Sequence, residues 1–152
     1  MKVYLDVCCL CRPFDDQKDN RIHLESEAIK EILSRCMRDW VLVTGTAIGF
    51  EISRIPDRAR MKKAQNFMGL SQEYVAITVP VSQRYHEIVE LGIDPADALH
   101  LACAESAGAV LLTTDDAIIR IIKRHAHQIS IEVKNPVDWL MEVNEHGSKD
   151  IE

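Results

Sequence analysis

Short apolar runs alternate along the chain with longer stretches in which apolar residues recur every three or four positions. The short runs are bounded by polar or turn residues and predict buried β-strands at 3–5, 40–43, 75–79 and 110–112, with a weaker one at 129–133. The periodic stretches predict helices at 24–33, 46–52, 59–67, 85–91, 98–107 and 117–122. This alternation predicts an α/β domain in which helices cover both faces of a parallel sheet, giving three layers.

Acidic residues follow the predicted strands, at the edge where parallel sheets bind their ligands. They lie after the first strand, in the short helix after the second, at the start of a later helix and after the fourth strand: Asp6, Glu51, Asp97 and Asp115. Asp6 is either a turn or cap residue or part of a site. Glu51 has apolar neighbours, and we favour a polar pocket over solvent for it because an unpaired, desolvated carboxylate is costly.

Two neighbouring acids are better explained as helix caps. Asp94 precedes Pro95 and suits the N-cap of its helix. Asp97 then lies in the first turn, either as an acid favoured by the helix dipole or as a site residue that points to the end of the sheet. After the fourth strand, Asp115 comes first and is the better site candidate, whereas Asp116 is predicted to cap the following helix.

Carboxylates gathered at one edge of the sheet raise one another's pKa unless a cation binds among them. A ligand set made only of oxygen atoms suits Mg²⁺ or Mn²⁺ rather than Zn²⁺. Such a metal can orient a water molecule, lower its pKa and stabilise charge on a phosphoryl oxygen. The predicted chemistry is therefore hydrolysis of a phosphodiester, in which none of the four acids need act as a nucleophile.

The chain resembles the PIN-domain nucleases over almost its whole length. The resemblance rests on residues 3–6 and 46–51 and, most specifically, on the spacing of 97–104 and 111–115. It implies a five-stranded parallel sheet and an endoribonuclease that depends on Mg²⁺ or Mn²⁺. In that assignment Asp6, Glu51, Asp97 and Asp115 bind the metal and are catalytic. Thr113 and Asp116 would hold these four acids in place without binding the metal themselves.

The same resemblance implies partners for the protein and the extent of its domain. Many small relatives are toxins held inactive by an antitoxin peptide, so we expect an RNA substrate, an antitoxin partner and a homodimer. The segment 12–17, followed by Arg21 and Glu25, replaces the looser loop of toxin members, and we favour a plain loop over a rim to the site. A single PIN-like domain is expected over 1–145, with a short polar C-terminal tail at 146–152.

Net charge and hydropathy bear on whether the protein binds nucleic acid or a membrane. A net charge of −6 is unusual for a nucleic-acid binder, but basic residues cluster within 54–63 and 120–124, either as a rim for RNA or as solvated helix faces. No apolar run approaches the roughly 20 residues that span a bilayer. The first residues show no charged leader or cleavage site, so we expect a cytoplasmic protein that makes no use of a membrane.

The cysteines and proteins of similar architecture suggest other functions for this chain. Cys8, Cys9 and Cys11 crowd one segment without matching ligand pairs elsewhere, so small, partly buried thiols are a better explanation than zinc or disulfides. Three further alternatives are disfavoured because the residues that they need are missing. A phosphatase of similar architecture needs an acid where Cys8 stands, and a receiver domain needs paired acids after the first strand. A cysteine nucleophile needs a nearby His in the sequence. The main alternative is a catalytically silent PIN-like module that binds RNA or a partner protein.

Overall fold

β1 (Lys2–Leu5) lies at the centre of a parallel sheet. The computed structural model describes residues 1–151, with side chains through residue 147. In this part of the chain the sheet has five strands in the order β3-β2-β1-β4-β5. The remaining strands are β2 (Val41–Gly45), β3 (Glu73–Val75), β4 (Val110–Leu112) and β5 (Val133–Lys134). All neighbours pair in parallel, which confirms the predicted fold class.

Helices flank this sheet. They are α1 (Val7–Cys11), α2 (Asn20–Cys36), α3 (Thr46–Ser53), α4 (Arg58–Met68), α5 (Val79–Glu90), α6 (Pro95–Ala107), α7 (Asp116–Arg124) and α8 (Pro136–Ile151). From β1 the chain moves outward to β2 and β3, and then returns past β1 to β4 and β5. Because parallel crossovers are right-handed, this reversal places α2 and α6 on opposite faces of the sheet. None of the helices in the described part of the chain is long and apolar enough to span a membrane.

The carboxyl ends of β1 and β4 form the point at which the direction of winding reverses. β1 pairs with β4 through Tyr4↔Leu111 and Leu5↔Leu112, and each of these residues is buried. Grooves in open parallel sheets form at this kind of reversal because the two following helices turn to opposite faces. The predicted acids after β1 and β4 therefore lie at the position where such a sheet binds ligands.

The boundaries of several elements differ from those predicted. β3 ends at Val75, because Thr78 caps α5 by accepting the N–H of Val81 and Pro80 occupies its first turn. β5 is reduced to Val133–Lys134, and the segment 12–17 contains a turn of 3-10 helix rather than a plain loop.

α8 was not predicted from the sequence. It begins after Asn135, whose side chain accepts the N–H of Val137 at 2.8 Å, and it packs against α2. Trp139 of α8 meets Trp40 edge to face, with ring centroids 5.2 Å apart. The polar tail predicted at 146–152 falls largely outside the residues whose side chains are described, and the domain boundary at 145 stays a prediction.

We predict that Gly45→Ala destabilises the protein by about 1–3 kcal/mol, because overpacking at a rigid contact has this cost. A Cβ on Gly45 would lie 2.3 Å from the backbone oxygen of Val75 in β3. Urea unfolding measures the change. The matched control is Gly49→Ala in α3, where the nearest atom is the flexible end of Met68 at 3.3 Å. That control should be neutral or stabilising by up to roughly 1 kcal/mol; equal losses in both variants would contradict the prediction.

Candidate active site

Asp6 is held at the end of the central strand by contacts with two segments, the end of β4 and α1. Its backbone N–H donates to the carbonyl of Leu112 in β4 at 3.2 Å, and its carboxylate accepts the N–H of Cys9 at 2.9 Å. The protein packed around this carboxyl raises the pKa of Asp6. Hydrogen bonds from Thr113 and Cys9, and the potential of His100, oppose the rise only in part. Asp6 is therefore the N-cap of α1 and also an acid with little solvent to stabilise its charge.

Thr113 connects Asp6 with Asp115 across the ends of β1 and β4. It is buried, donates its hydroxyl to Asp6 and accepts the backbone N–H of Asp115 at 3.1 Å. Asp115 is exposed and is itself the N-cap of α7, where it accepts the N–H of Ala117 at 2.9 Å. The prediction that Asp116 caps this helix is wrong, because the extended backbone that precedes the first turn is that of Asp115.

Asp97 faces these two acids from the first turn of α6. Asp94 caps this helix as predicted, by accepting the N–H of Ala96 at 3.2 Å. Partial burial raises the pKa of Asp97 to about 6, and the negative charges of Asp94, Asp115 and Asp6 add to the rise, while His100 lowers it. The Asp97 carboxyl is thus electrostatically coupled to acids that follow two neighbouring strands.

Glu51 reaches the same region from α3 through a hydrogen bond to α6. Its side chain is 49% exposed, so it is not enclosed in the pocket that we favoured. Its Oε2 lies 2.6 Å from Nε2 of His100, whose Nδ1 lies 2.7 Å from the hydroxyl of Tyr4 in β1. Neither Tyr4 nor His100 is among the predicted site residues. Two signals could have identified them: His100 lies three residues after Asp97 on one helix face, and a Tyr in a buried strand needs a partner for its hydroxyl.

The thiol of Cys8 lies among the acids and reports their proximity. Although Cys8 is exposed as a residue, partial burial of its thiol raises the pKa to about 12, and Asp6, Glu51 and Asp115 each add to the rise. Among the residues that the structure describes, however, no three His, Cys, Asp or Glu side chains stand close enough to hold a metal ion. Asp6 and Asp115 therefore affect the charge of Asp97, and Glu51 affects that of Cys8 beside them, but the four acids do not form a complete set of metal ligands.

The cysteines themselves match the interpretation as unpaired thiols. Cys9, Cys11, Cys36 and Cys103 are free and buried, and Cys8 is free and exposed. A thiol whose pKa is raised to about 12 stays protonated at neutral pH, because thiolate formation requires a lower value. Cys8 is therefore a poor nucleophile, although it lies beside the acids.

An ion-pair network holds the segment after α1 against the start of α7. Glu25 of α2 is buried and accepts hydrogen bonds from Arg12 at 2.9 Å, Arg21 at 3.3 Å and Asn135 at 2.6 Å. Arg21 also binds both carboxylate oxygens of Asp116 at 2.8 Å. Asp116 is thus paired with an arginine and does not point at the other acids.

Exposed residues of the two basic clusters lie on α4 and α7. α4 packs against α1, which begins directly after Asp6, and it exposes Arg58 and Lys62. Arg120 and Lys123 of α7 line a groove of 630 Å³ next to α2. Exposed positive charge is therefore present on helices that follow β2 and β4, although the chain as a whole is acidic.

Comparison with known proteins gives one family and several similar folds. The model of the PIN domain family matches residues 3–124. VapBC2 from Rickettsia felis, bound to a promoter DNA fragment, gives a TM-score of 0.58 at 15% identity over 89% of this chain and 98% of that chain. FitAcB from Neisseria gonorrhoeae gives 0.58 at 17% identity over 90% and 98%.

A third similar structure is VapBC-5 from Mycobacterium tuberculosis, a member of the VapBC family of toxin-antitoxin systems. It gives a TM-score of 0.51 at 13% identity over 88% of this chain and 98% of that chain. Comparison with curated proteins gives no significant match. At these identities the likeness to solved structures establishes the fold.

We predict that Asp97→Asn stabilises the metal-free protein at pH 7.5. The folded chain holds the Asp97 proton to a higher pH than the unfolded chain, so stability falls as the pH rises from 3.8 to about 6. The expected gain is roughly 1 kcal/mol after allowance for solvent screening of this half-buried group. Thermal unfolding in EDTA measures it, and the gain should disappear below about pH 4. Glu90→Gln, at an exposed acid in α5, is the control; a gain independent of pH would contradict the explanation.

Proposed function

Because the chain belongs to the PIN domain family, we propose that it is a divalent-metal-dependent endoribonuclease with Asp6, Glu51, Asp97 and Asp115 as its site. The position of Asp6 and Asp115 after two neighbouring strands carries the proposal: burial and Asp94 do most to raise the pKa of Asp97, and these two acids add to the rise. Carboxylates that repel one another do not help a protein to fold. Such crowding is typical of a functional site, where a bound positive charge compensates it.

The chemistry of the side chains fits Mg²⁺ or Mn²⁺. All four acids offer carboxylate oxygens, which are the ligands that these hard cations prefer. Asp6 is already held in place by Thr113 and by the backbone of Cys9. Because the described residues form no complete ligand set, we expect small side-chain movements on binding, above all at the exposed Asp115.

Each part of the chain would have a distinct role in cleavage. A bound divalent cation would activate water and stabilise the charge that builds on a phosphoryl oxygen. Asp97 would release its proton on binding, since a pKa of about 6 leaves a fraction of this carboxyl protonated near neutral pH. Arg58 and Lys62 on α4 would contact RNA phosphates beside the acids.

We predict Mn²⁺-dependent cleavage of single-stranded RNA by the wild type, and a loss of at least about a hundredfold in Asp97→Asn, because a removed ligand weakens both metal binding and charge stabilisation. Gel analysis of labelled RNA with Mn²⁺, Mg²⁺ or EDTA measures the rates. A DNA of the same sequence tests the preference for RNA.

The matched control for this assay is Asp94→Asn. Asn is also a good N-cap, so α6 keeps its start while one negative charge three residues before Asp97 is removed. Its cleavage rate should stay within about threefold of wild type. If Asp94→Asn and Asp97→Asn lose activity equally, the assignment of Asp97 to the site is wrong.

A second candidate function is a PIN-like module that binds RNA or a partner protein without cutting. The observation that favours it is the lack, within the described residues, of three metal-ligating side chains at coordinating distance. Wild-type protein that binds RNA but yields no product with any divalent metal would establish this alternative.

We also propose that the protein is the toxin of a toxin–antitoxin pair, active in the cytoplasm and as a homodimer. This rests on family membership and on the likeness of its fold to VapBC proteins. Induced expression in a bacterial host should arrest growth because cellular RNA is cut, and Asp97→Asn at equal protein level should not. Colony counts and RNA profiles measure this. Equal arrest by the two proteins would contradict a nuclease toxin.

A further inference from the structure

Three side chains from three elements form a continuous hydrogen-bonded chain. Tyr4 of β1 is fully buried, and its hydroxyl lies 2.7 Å from Nδ1 of His100 in α6. The His100 side chain is 11% exposed, and its Nε2 lies 2.6 Å from Oε2 of Glu51 in α3. The chain runs from the centre of the sheet to an exposed carboxylate beside the strand-end acids.

The direction of the hydrogen bonds follows from the groups at the two ends. Tyr4 is fully buried, and a tyrosine hydroxyl carries its proton at neutral pH, so it can donate it. The Glu51 carboxylate can only accept. When His100 is neutral, a proton on Nε2 satisfies both ends, since Tyr4 then donates to Nδ1 and Nε2–H donates to Glu51. When His100 is protonated, Nδ1–H donates to Tyr4 and Nε2–H still donates to Glu51. The other neutral tautomer would place a bare Nε2 against the carboxylate.

We propose that Tyr4 and His100 are positioning residues, which fix the rotamer of Glu51 and so preorganise it as a metal ligand. This inference rests on the proposed function, in which Glu51 binds the cation. Half-exposed glutamates ordinarily populate several rotamers, and ordering one of them has an entropic cost. A donor fixed by the core lowers that cost at the moment of binding.

The placement of His100 supports a role beyond packing. It lies three residues after Asp97 on α6, so one helix carries a candidate ligand and the residue that holds a second one. α3 and α6 pack against each other, so this hydrogen bond sets the position of Glu51 relative to Asp97. An apolar residue at position 100 could fill the space but could not direct a carboxylate.

Nitrogen NMR of the metal-free protein tests the hydrogen-bond chain independently of any activity. The His100 ring, assigned by comparison with His100→Gln, should show a protonated Nε2 and an unprotonated Nδ1 in wild type. Tyr4→Phe, which preserves the core volume, should reduce the preference for this tautomer. A protonated Nδ1 in neutral wild-type His100 would overturn the proposed direction of the bonds.

Mn²⁺ titration followed by electron paramagnetic resonance tests the positioning role. We expect His100→Ala to weaken Mn²⁺ binding about tenfold to a hundredfold, as loss of a group that orients a metal ligand does. Tyr4→Phe should weaken it less. His100→Gln, which keeps an N–H donor at a similar reach, should restore part of the affinity. Leu99→Ala on the same helix is the packing control and should leave the affinity unchanged.

A double-mutant cycle separates positioning from a general effect on folding. In the Glu51→Ala background, His100→Ala should cause no further loss of Mn²⁺ affinity, because its effect passes through Glu51. Additive losses would overturn the inference, as would wild-type affinity in His100→Ala. If the wild type itself binds no Mn²⁺, the proposed function fails as well. Binding by wild type with no effect of His100 removes the positioning role alone.

Discussion

Crowding of negative charge at one edge of the sheet is the constraint on which the rest of the site depends. β1 is the central strand, and the chain reverses its direction of winding between β1 and β4, so the acids that follow these strands lie at the same edge of the sheet. The raised pKa of Asp97 expresses the energetic consequence, since burial and neighbouring carboxylates both disfavour its charge. A fold that needed only stability would avoid this arrangement.

The surrounding structure holds the acids at this edge in different ways. Asp6 is bound by Thr113 and by the backbone N–H of Cys9, while Asp115 is engaged as the cap of α7. Glu51 is tied to His100, which the core holds through Tyr4. Each contact restricts the conformations open to a side chain at this edge of the sheet. The site is thus partly preorganised and still open to adjustment by a cation.

A second network of charges lies beside the first and is neutralised internally. Glu25 is buried but accepts hydrogen bonds from Arg12 and Arg21, so its charge has partners within the protein. Arg21 extends this network to Asp116 at the start of α7. The contrast is informative: Glu25 and Asp116 are paired with arginines, whereas burial and other carboxylates raise the pKa of Asp97 and His100 offsets this only in part. The uncompensated group is the one that a cation would suit.

The sequence by itself determined the α/β class, the order of most elements and the group of acids, because strand and helix periodicities and the residues after strands are local features. It misplaced β3 and missed α8, since Thr78 and Asn135 act through caps that outweigh or supplement the apolar pattern. Only the tertiary structure decided which acid is a cap, which is paired with Arg21, and that His100 links Tyr4 to Glu51. These roles depend on contacts between residues far apart in the chain, and neither spacing nor composition specifies such distances.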